Sequence, residues 1–276
     1  MTISKNIVLL KIGIAVSFFA LLAFAVFSQT IFPVYPSLIN YKAAARSGYA
    51  VLTGILPAPS PYTAFAGVGA AVLFAFVMQA TMFYFFEKTQ SVEIRFLGIF
   101  LFSFTFEILR IALPLKTVLQ FSSYIPVIAA RFIAFGRFYG LFSLFSAGLY
   151  ASGLKMQREE NFIFPMFIIA VLFAIRIPLD TFNYDTSLYP VVGISYIFKI
   201  TETAIVLLSV FCFISGAYTR GNREYYFIAI GILAAAIGRS LLFSADTWFT
   251  LIPAFAILVF GAWFTGKQFR RMYLWA

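Results

Sequence analysis

Residues 92–115 read VEIRFLGIFLFSFTFEILRIALPL, and this stretch decides the class of the chain. It runs past the roughly 18 largely apolar residues that a bilayer-crossing helix needs. Yet it carries Glu107 and Arg110 well inside its length. Runs of the same kind lie near 7–28, 62–86, 92–115, 124–154, 162–179, 189–218, 225–243 and 249–266. Backbone groups in lipid must bond within their own segment, so each run is expected to be helical. The reading is an all-α integral membrane protein, a polytopic bundle of about eight transmembrane helices forming one transmembrane domain. Residues 29–61, with five prolines from Pro33 to Pro61, are expected to be an extracytoplasmic loop, with 41–46 as a candidate interfacial helix.

Composition agrees. The 276 residues are 62% hydrophobic, 20% aromatic and 11% charged, where a soluble domain carries about 25% charged residues. A net charge of +10 would point to nucleic acid in a soluble chain. Here the cations fall in ones and twos over short loops, so no nucleic-acid partner is expected. The chain has no histidine, and Cys212 is its one cysteine. That removes the intrachain disulfide, the paired-cysteine metal motif and the nucleophile–histidine pair. No metal, cofactor or catalytic set is expected. Near the N-terminus, Lys5 and Lys11 precede an apolar stretch, and Ala23-Phe24-Ala25 resembles a signal-cleavage site. The stretch from Ile12 to Phe27 is slightly longer than a signal core of about 7–15 residues. The expectation is a retained helix.

Charge sets direction. Lys5, Lys11, Lys88, Arg95, Lys155, Arg158, Arg220, Arg223, Lys267, Arg270 and Arg271 fall on one side of an eight-span arrangement. Lys42, Arg46 and Lys116 fall on the other. By the positive-inside rule both termini are expected to be cytoplasmic. A prokaryotic inner membrane is the default location. The basic cytoplasmic face is also a candidate docking surface for a protein partner.

An internal echo follows. Glu93, Glu159 and Glu224 precede Phe96, Phe162 and Phe227 by three residues each. Arg110, Arg176 and Arg239 lie towards the far ends of the same spans, and Pro126, Pro190 and Pro253 open the next ones. This spacing reads as three tandem helical hairpins plus an N-terminal pair, all running in one direction.

The embedded ionisable residues carry the functional reading. Arg110, Arg131, Arg137, Arg176, Lys199 and Arg239 stand against Glu107, Asp180, Glu202 and Asp246. A central Arg, Lys or Asp costs roughly 2.5–3.5 kcal/mol on insertion, so such groups face a protein interior or a wet cavity. Glu107 with Arg110, Lys199 with Glu202, and Arg176 with Asp180 are spaced to pair on one helix face. Arg131 and Arg137 have no acid on their own span. Arginine's planar fork suits phosphate and carboxylate. Arg110, Arg131, Arg137, Arg176 and Arg239 are therefore expected to bind an anionic small molecule or lipid headgroup in an outward-facing basic cavity. Glu107, Asp180, Lys199 and Glu202 are the candidate ion-pair or coupling residues. A transporter or flippase-like carrier is the leading expectation, with membrane lipids around it. A sensor or assembly subunit is the alternative. An intramembrane enzyme using Glu107 and Glu202 as acid and base, or a retinal protein on Lys199, ranks below both.

Overall fold

The computed structural model describes residues 3–31, 61–86, 89, 91–120, 122, 124–153, 160–184, 187–193 and 195–274. Of the expected loop, 29–31 belong to the first helix and Pro61 opens the second. The rest, including the candidate helix at 41–46, lies outside the described residues, as do Lys88, Lys155, Arg158 and Glu159.

The helices are α1 (Ile3–Ile31), α2 (Pro61–Phe86), α3 (Val92–Ser103), α4 (Ala112–Leu119), α5 (Tyr124–Ala151), α6 (Glu160–Arg176), α7 (Ser195–Arg220), α8 (Glu224–Phe243) and α9 (Trp248–Leu274). A 3-10 segment, Phe104–Ile111, joins α3 to α4. Among the described residues, seven helical stretches are long and apolar enough to cross a membrane, Val92–Lys116 counting as one of them. This is a multi-pass membrane protein. The expected fifth span is a shorter apolar helix, Phe162–Arg176.

The differences from the expected boundaries have a common cause. The fifth run was expected to reach Leu179, and the sixth to begin at Tyr189. Pro178 disfavours helical backbone at Ile177, and Pro190 does the same to Tyr189. The helix therefore stops at Arg176, and Leu179–Tyr184 (β1) pairs antiparallel with Pro190–Val192 (β2). Gly193 N–H closes this hairpin on the Pro178 carbonyl at 3.0 Å. Helix α7 then begins at Ser195.

The α3 segment lies at the centre, with ten of its twelve residues buried. It packs on α5 and α2, and α5 in turn packs on α6 and α7. The two members of each expected hairpin do not all lie side by side: α3 packs on α5 and α8 on α9, whereas α6 is held by α5. Apolar side chains on the outer helices point away from this core, Phe19, Phe164 and Phe211 each being about two-thirds exposed. In a bilayer that is where they belong, because lipid tails are as apolar as the side chains.

Small residues set the tightest contact. A Cβ placed on Gly238 would meet the backbone N of Leu258 and lie 2.7 Å from its Cα, while Gly261 abuts the Gly231 carbonyl and Ala235. Backbones this close gain dispersion contact that larger residues would prevent. Gly238→Ala is expected to lower stability by about 1–3 kcal/mol through forced separation of α8 and α9. A lower melting temperature in detergent checks it. Gly266→Ala, with nothing within 4 Å, serves as the unchanged control.

Candidate functional site

The eight-residue 3-10 segment positions the first two groups. With three residues per turn, positions three apart eclipse, so Phe104, Glu107 and Arg110 form one stripe, and all three are buried. Arg110 Nε lies 2.6 Å from Glu107 Oε2. Arg110 Nη1 donates to the Ser187 carbonyl at 3.3 Å and Nη2 to the Phe243 carbonyl at 3.0 Å. The arginine therefore ties the β1–β2 hairpin region to the end of α8.

Arg137 reaches the same carboxylate from α5. Gly136 and Gly140 flank its turn, and a Cβ on either would collide with Phe106 or Ser103. Their absence of side chains lets α5 press against the 3-10 segment and puts Arg137 in range. Its Nε donates to Glu107 Oε1 at 2.8 Å and its Nη2 to Oε2 at 3.1 Å. This is the bidentate geometry that makes arginine–carboxylate pairs strong. The Tyr189 ring lies 4.4 Å from the Arg137 guanidinium carbon, and its hydroxyl donates to the Ala130 carbonyl at 3.5 Å. Burial pushes the Tyr189 phenol above its ordinary pKa, with the Arg137 charge opposing, so the hydroxyl stays a donor.

Arg239 of α8 supplies a third guanidinium, 2% exposed. Its Nη2 donates to the Arg137 carbonyl at 2.9 Å. Its Nε is buried with no hydrogen-bond partner among the described residues. Four residues on, Phe243 shares its helix face. The Phe243 ring centre lies 5.5, 4.7 and 4.8 Å from the guanidinium carbons of Arg110, Arg137 and Arg239. Three cations thus surround one aromatic ring and one carboxylate.

Glu107 contacts two of the three guanidiniums directly, those of Arg110 and Arg137. Glu202 of α7 adds a field at Arg137 and Arg239 from a distance, with no salt bridge to it among the described residues. The cluster is sealed: Glu107 and Arg110 are 1% and 3% exposed, and the Arg137 side chain 15%. The adjoining void, between Arg110, Pro126, Ala130, Leu188 and Pro190, measures about 10 Å³. That is room for roughly one water. The outward-facing basic cavity expected from sequence is not seen among the described residues.

The other sequence-derived candidates lie elsewhere. Arg131, half-buried on α5, donates to the Ile175 carbonyl at 2.9 Å. Arg176, next in sequence to that acceptor, is exposed at the end of α6. Lys199 is exposed on α7 and forms no salt bridge with Glu202 among the described residues. Asp180 falls in β1, and its side chain lies outside the described residues.

A second polar cluster sits at the opposite end. Glu93, beside its helix cap Ser91, accepts from Ser91 Oγ at 2.6 Å, Tyr273 Oη at 2.8 Å and Arg220 Nη1 at 3.4 Å. Arg220 also donates to Tyr225 Oη at 2.8 Å and to the Tyr150 carbonyl. Ends of α3, α5, α7, α8 and α9 are thereby joined around one carboxylate. Sequence had marked Glu93 only as a repeat position and Arg220 only as a topology signal.

No family model matches the chain. It is similar to an uncharacterised protein of Treponema pallidum (strain Nichols), 30% identical over 131 residues. Those residues make up 48% of this chain and 37% of that relative. The chain therefore spans well under two thirds of the relative's length. No activity follows from that likeness, and the chemistry has to come from the cluster itself.

Proposed function

We propose that this multi-pass membrane protein binds an oxyanion, phosphate or carboxylate, at Arg110, Arg137 and Arg239, and moves it as a transporter or flippase-like carrier. One observation supports this above the rest: Arg239 is buried, with an Nε donor that has no hydrogen-bond partner among the described residues, beside the Glu107–Arg137 pair. Leaving a buried charged donor unmatched is costly, so a site that keeps one is built for a group that arrives later. Arg131 and Arg176, near one another at the rim, stand at headgroup level, where they would gather phosphate from lipid or solution. Glu202 and Lys199 would tune the approach from α7.

The same reading places both termini in the cytoplasm of a prokaryotic inner membrane, with the arginine cluster nearer the outer face and α6 as an eighth crossing. Seventeen residues rise about 25 Å, a few ångströms short of a typical hydrocarbon core. Local thinning of the bilayer accommodates that difference.

The sensor or assembly-subunit reading has its own support in the closed packing, in which Arg110 and Arg137 already cross-link helices through Glu107. Binding separates the two. Arg239→Gln is expected to weaken the affinity of the detergent-purified protein for inorganic phosphate, or for phosphatidylglycerol in mixed micelles, by tenfold or more, since a hydrogen bond to a charged group contributes about 1.5–3 kcal/mol. Calorimetric titration reads this directly. Wild-type protein that binds neither ligand would leave the cross-linking role as the better account.

A further inference from the structure

An anion already occupies part of the site. Glu107 takes both donors of the Arg137 fork, at 2.8 and 3.1 Å, and also meets Arg110 Nε at 2.6 Å. An incoming phosphate or carboxylate would want those same donors in that same plane. Arg239 remains beside them with its Nε unfilled. The cluster therefore divides into a fork held by a resident carboxylate and an Arg239 Nε with no hydrogen-bond partner among the described residues.

The mounting of that carboxylate is the second observation. Runs of 3-10 helix rarely exceed three or four residues, and this one has eight, Phe104–Ile111, in the middle of a membrane span. A 3-10 helix turns about 20° more per residue than an α-helix and rises about 0.5 Å more. Conversion to α-helix would swing Glu107, four residues past Ser103, by about 80° and shorten the segment by about 4 Å. Such a swing takes the carboxylate out of the Arg137 fork with no bond broken other than hydrogen bonds. The flanks are already α-helical, so the change propagates an existing geometry.

We infer that Glu107 is the site's built-in competitor: an arriving oxyanion takes its place on Arg137, engages the free Nε of Arg239, and the 3-10 segment winds to α-helix as the carboxylate leaves. This rests on the anion-site reading above. The groups facing Glu107 are Arg110 from its own segment, Arg137 from α5, Arg239 from α8 and Tyr189 from the hairpin, while Glu202 of α7 acts at longer range on Arg137, Arg239 and Tyr189. None of the others is an anion in contact with Arg137, so Glu107 is the group that has to yield. With Glu107 in place the cluster is locked; with the ligand in place the lock is replaced by something that can depart.

The test titrates wild type, Glu107→Gln, Glu107→Asp and Arg239→Gln with inorganic phosphate in non-ionic detergent. A parallel arm uses mixed micelles with and without phosphatidylglycerol. Glu107→Gln is expected to bind about tenfold tighter than wild type or better, because no carboxylate must be displaced from its charged partner. The same variant is expected to melt lower without ligand and to recover on saturation, as binding to the folded state requires. Glu107→Asp, one methylene shorter, should fall between Gln and wild type. Tighter binding only in the phosphatidylglycerol arm supports the competitor with a headgroup as ligand. A folded Glu107→Gln that binds no tighter than wild type overturns the proposal. Should that variant fail to fold, Glu107→Asp decides on the same criterion. Wild-type binding weakened by Arg239→Gln but not strengthened at position 107 sinks the competitor and leaves the anion site. No binding in either arm removes both.

Discussion

Glu107→Leu is expected to lower the yield of folded protein sharply. The substitution keeps similar bulk but deletes the carboxylate contacting two arginines. Arg137 loses hydrogen bonds of 2.8 and 3.1 Å, and Arg110 loses its 2.6 Å contact. Arg137 then faces Arg239 and the Phe243 ring without the carboxylate that held its fork. Removing one partner of a buried ion pair typically costs about 3–5 kcal/mol, because the remaining charge is stranded away from water. Folded domains hold only about 5–15 kcal/mol in total. Here the Arg137 fork loses both of its contacts at once, which puts the loss at the upper end of the ion-pair range. Yield of monodisperse protein after detergent extraction, and the melting temperature of what survives, measure the effect. Glu202→Gln is the informative control: that carboxylate acts from a distance, and its removal should lower the melting temperature only slightly. Equal losses at the two positions would show that contact with the arginines does not matter.

The membrane class could be read directly from residues such as 92–115, because twenty or so apolar residues in a row have no other stable environment. Helix number was less accessible. Pro178 and Pro190 could be seen, but not that the chain between them would pair with itself as β1 and β2 and leave α6 short. The interruption at Phe104–Ile111 has no counterpart in composition, since 3-10 and α-helix accept the same apolar residues. In the site, the pairing of Glu107 with Arg110 follows from spacing alone. The meeting of Arg137 and Arg239 with them depends on helix packing, which Gly136 and Gly140 permit but do not announce. Arg110 and Arg239 are matching positions of the proposed repeat and converge, whereas Arg176, at the third such position, is exposed at the end of α6. Phe243 was hidden by its own abundance: one of 37 phenylalanines, it differs only in lying four residues after a buried arginine.

Phe243 is where the second large effect is expected. Three positive charges gather within 5.5 Å of its ring centre, and like charges so close would repel across an apolar gap. The ring face carries the negative end of the aromatic quadrupole, and each cation over it gains about 0.5–2 kcal/mol, more when desolvated. The same ring packs at 5.5 Å against Phe104, the first residue of the stripe that holds Glu107. Phe243→Ala removes the ring from the cations and from that stripe together, for a loss of about 3–5 kcal/mol. Phe243→Leu separates the contributions, since it restores most of the apolar volume without the quadrupole. Its expected loss is about half as large, roughly the sum of the three cation contacts at their weaker end. Phe243→Tyr keeps a ring face and should stay near wild type, while Phe211→Ala, on the lipid side of α7, should change little. Chemical unfolding in mixed micelles would rank the four. A leucine variant as stable as wild type would mean that Phe243 fills space and does nothing for the charges around it.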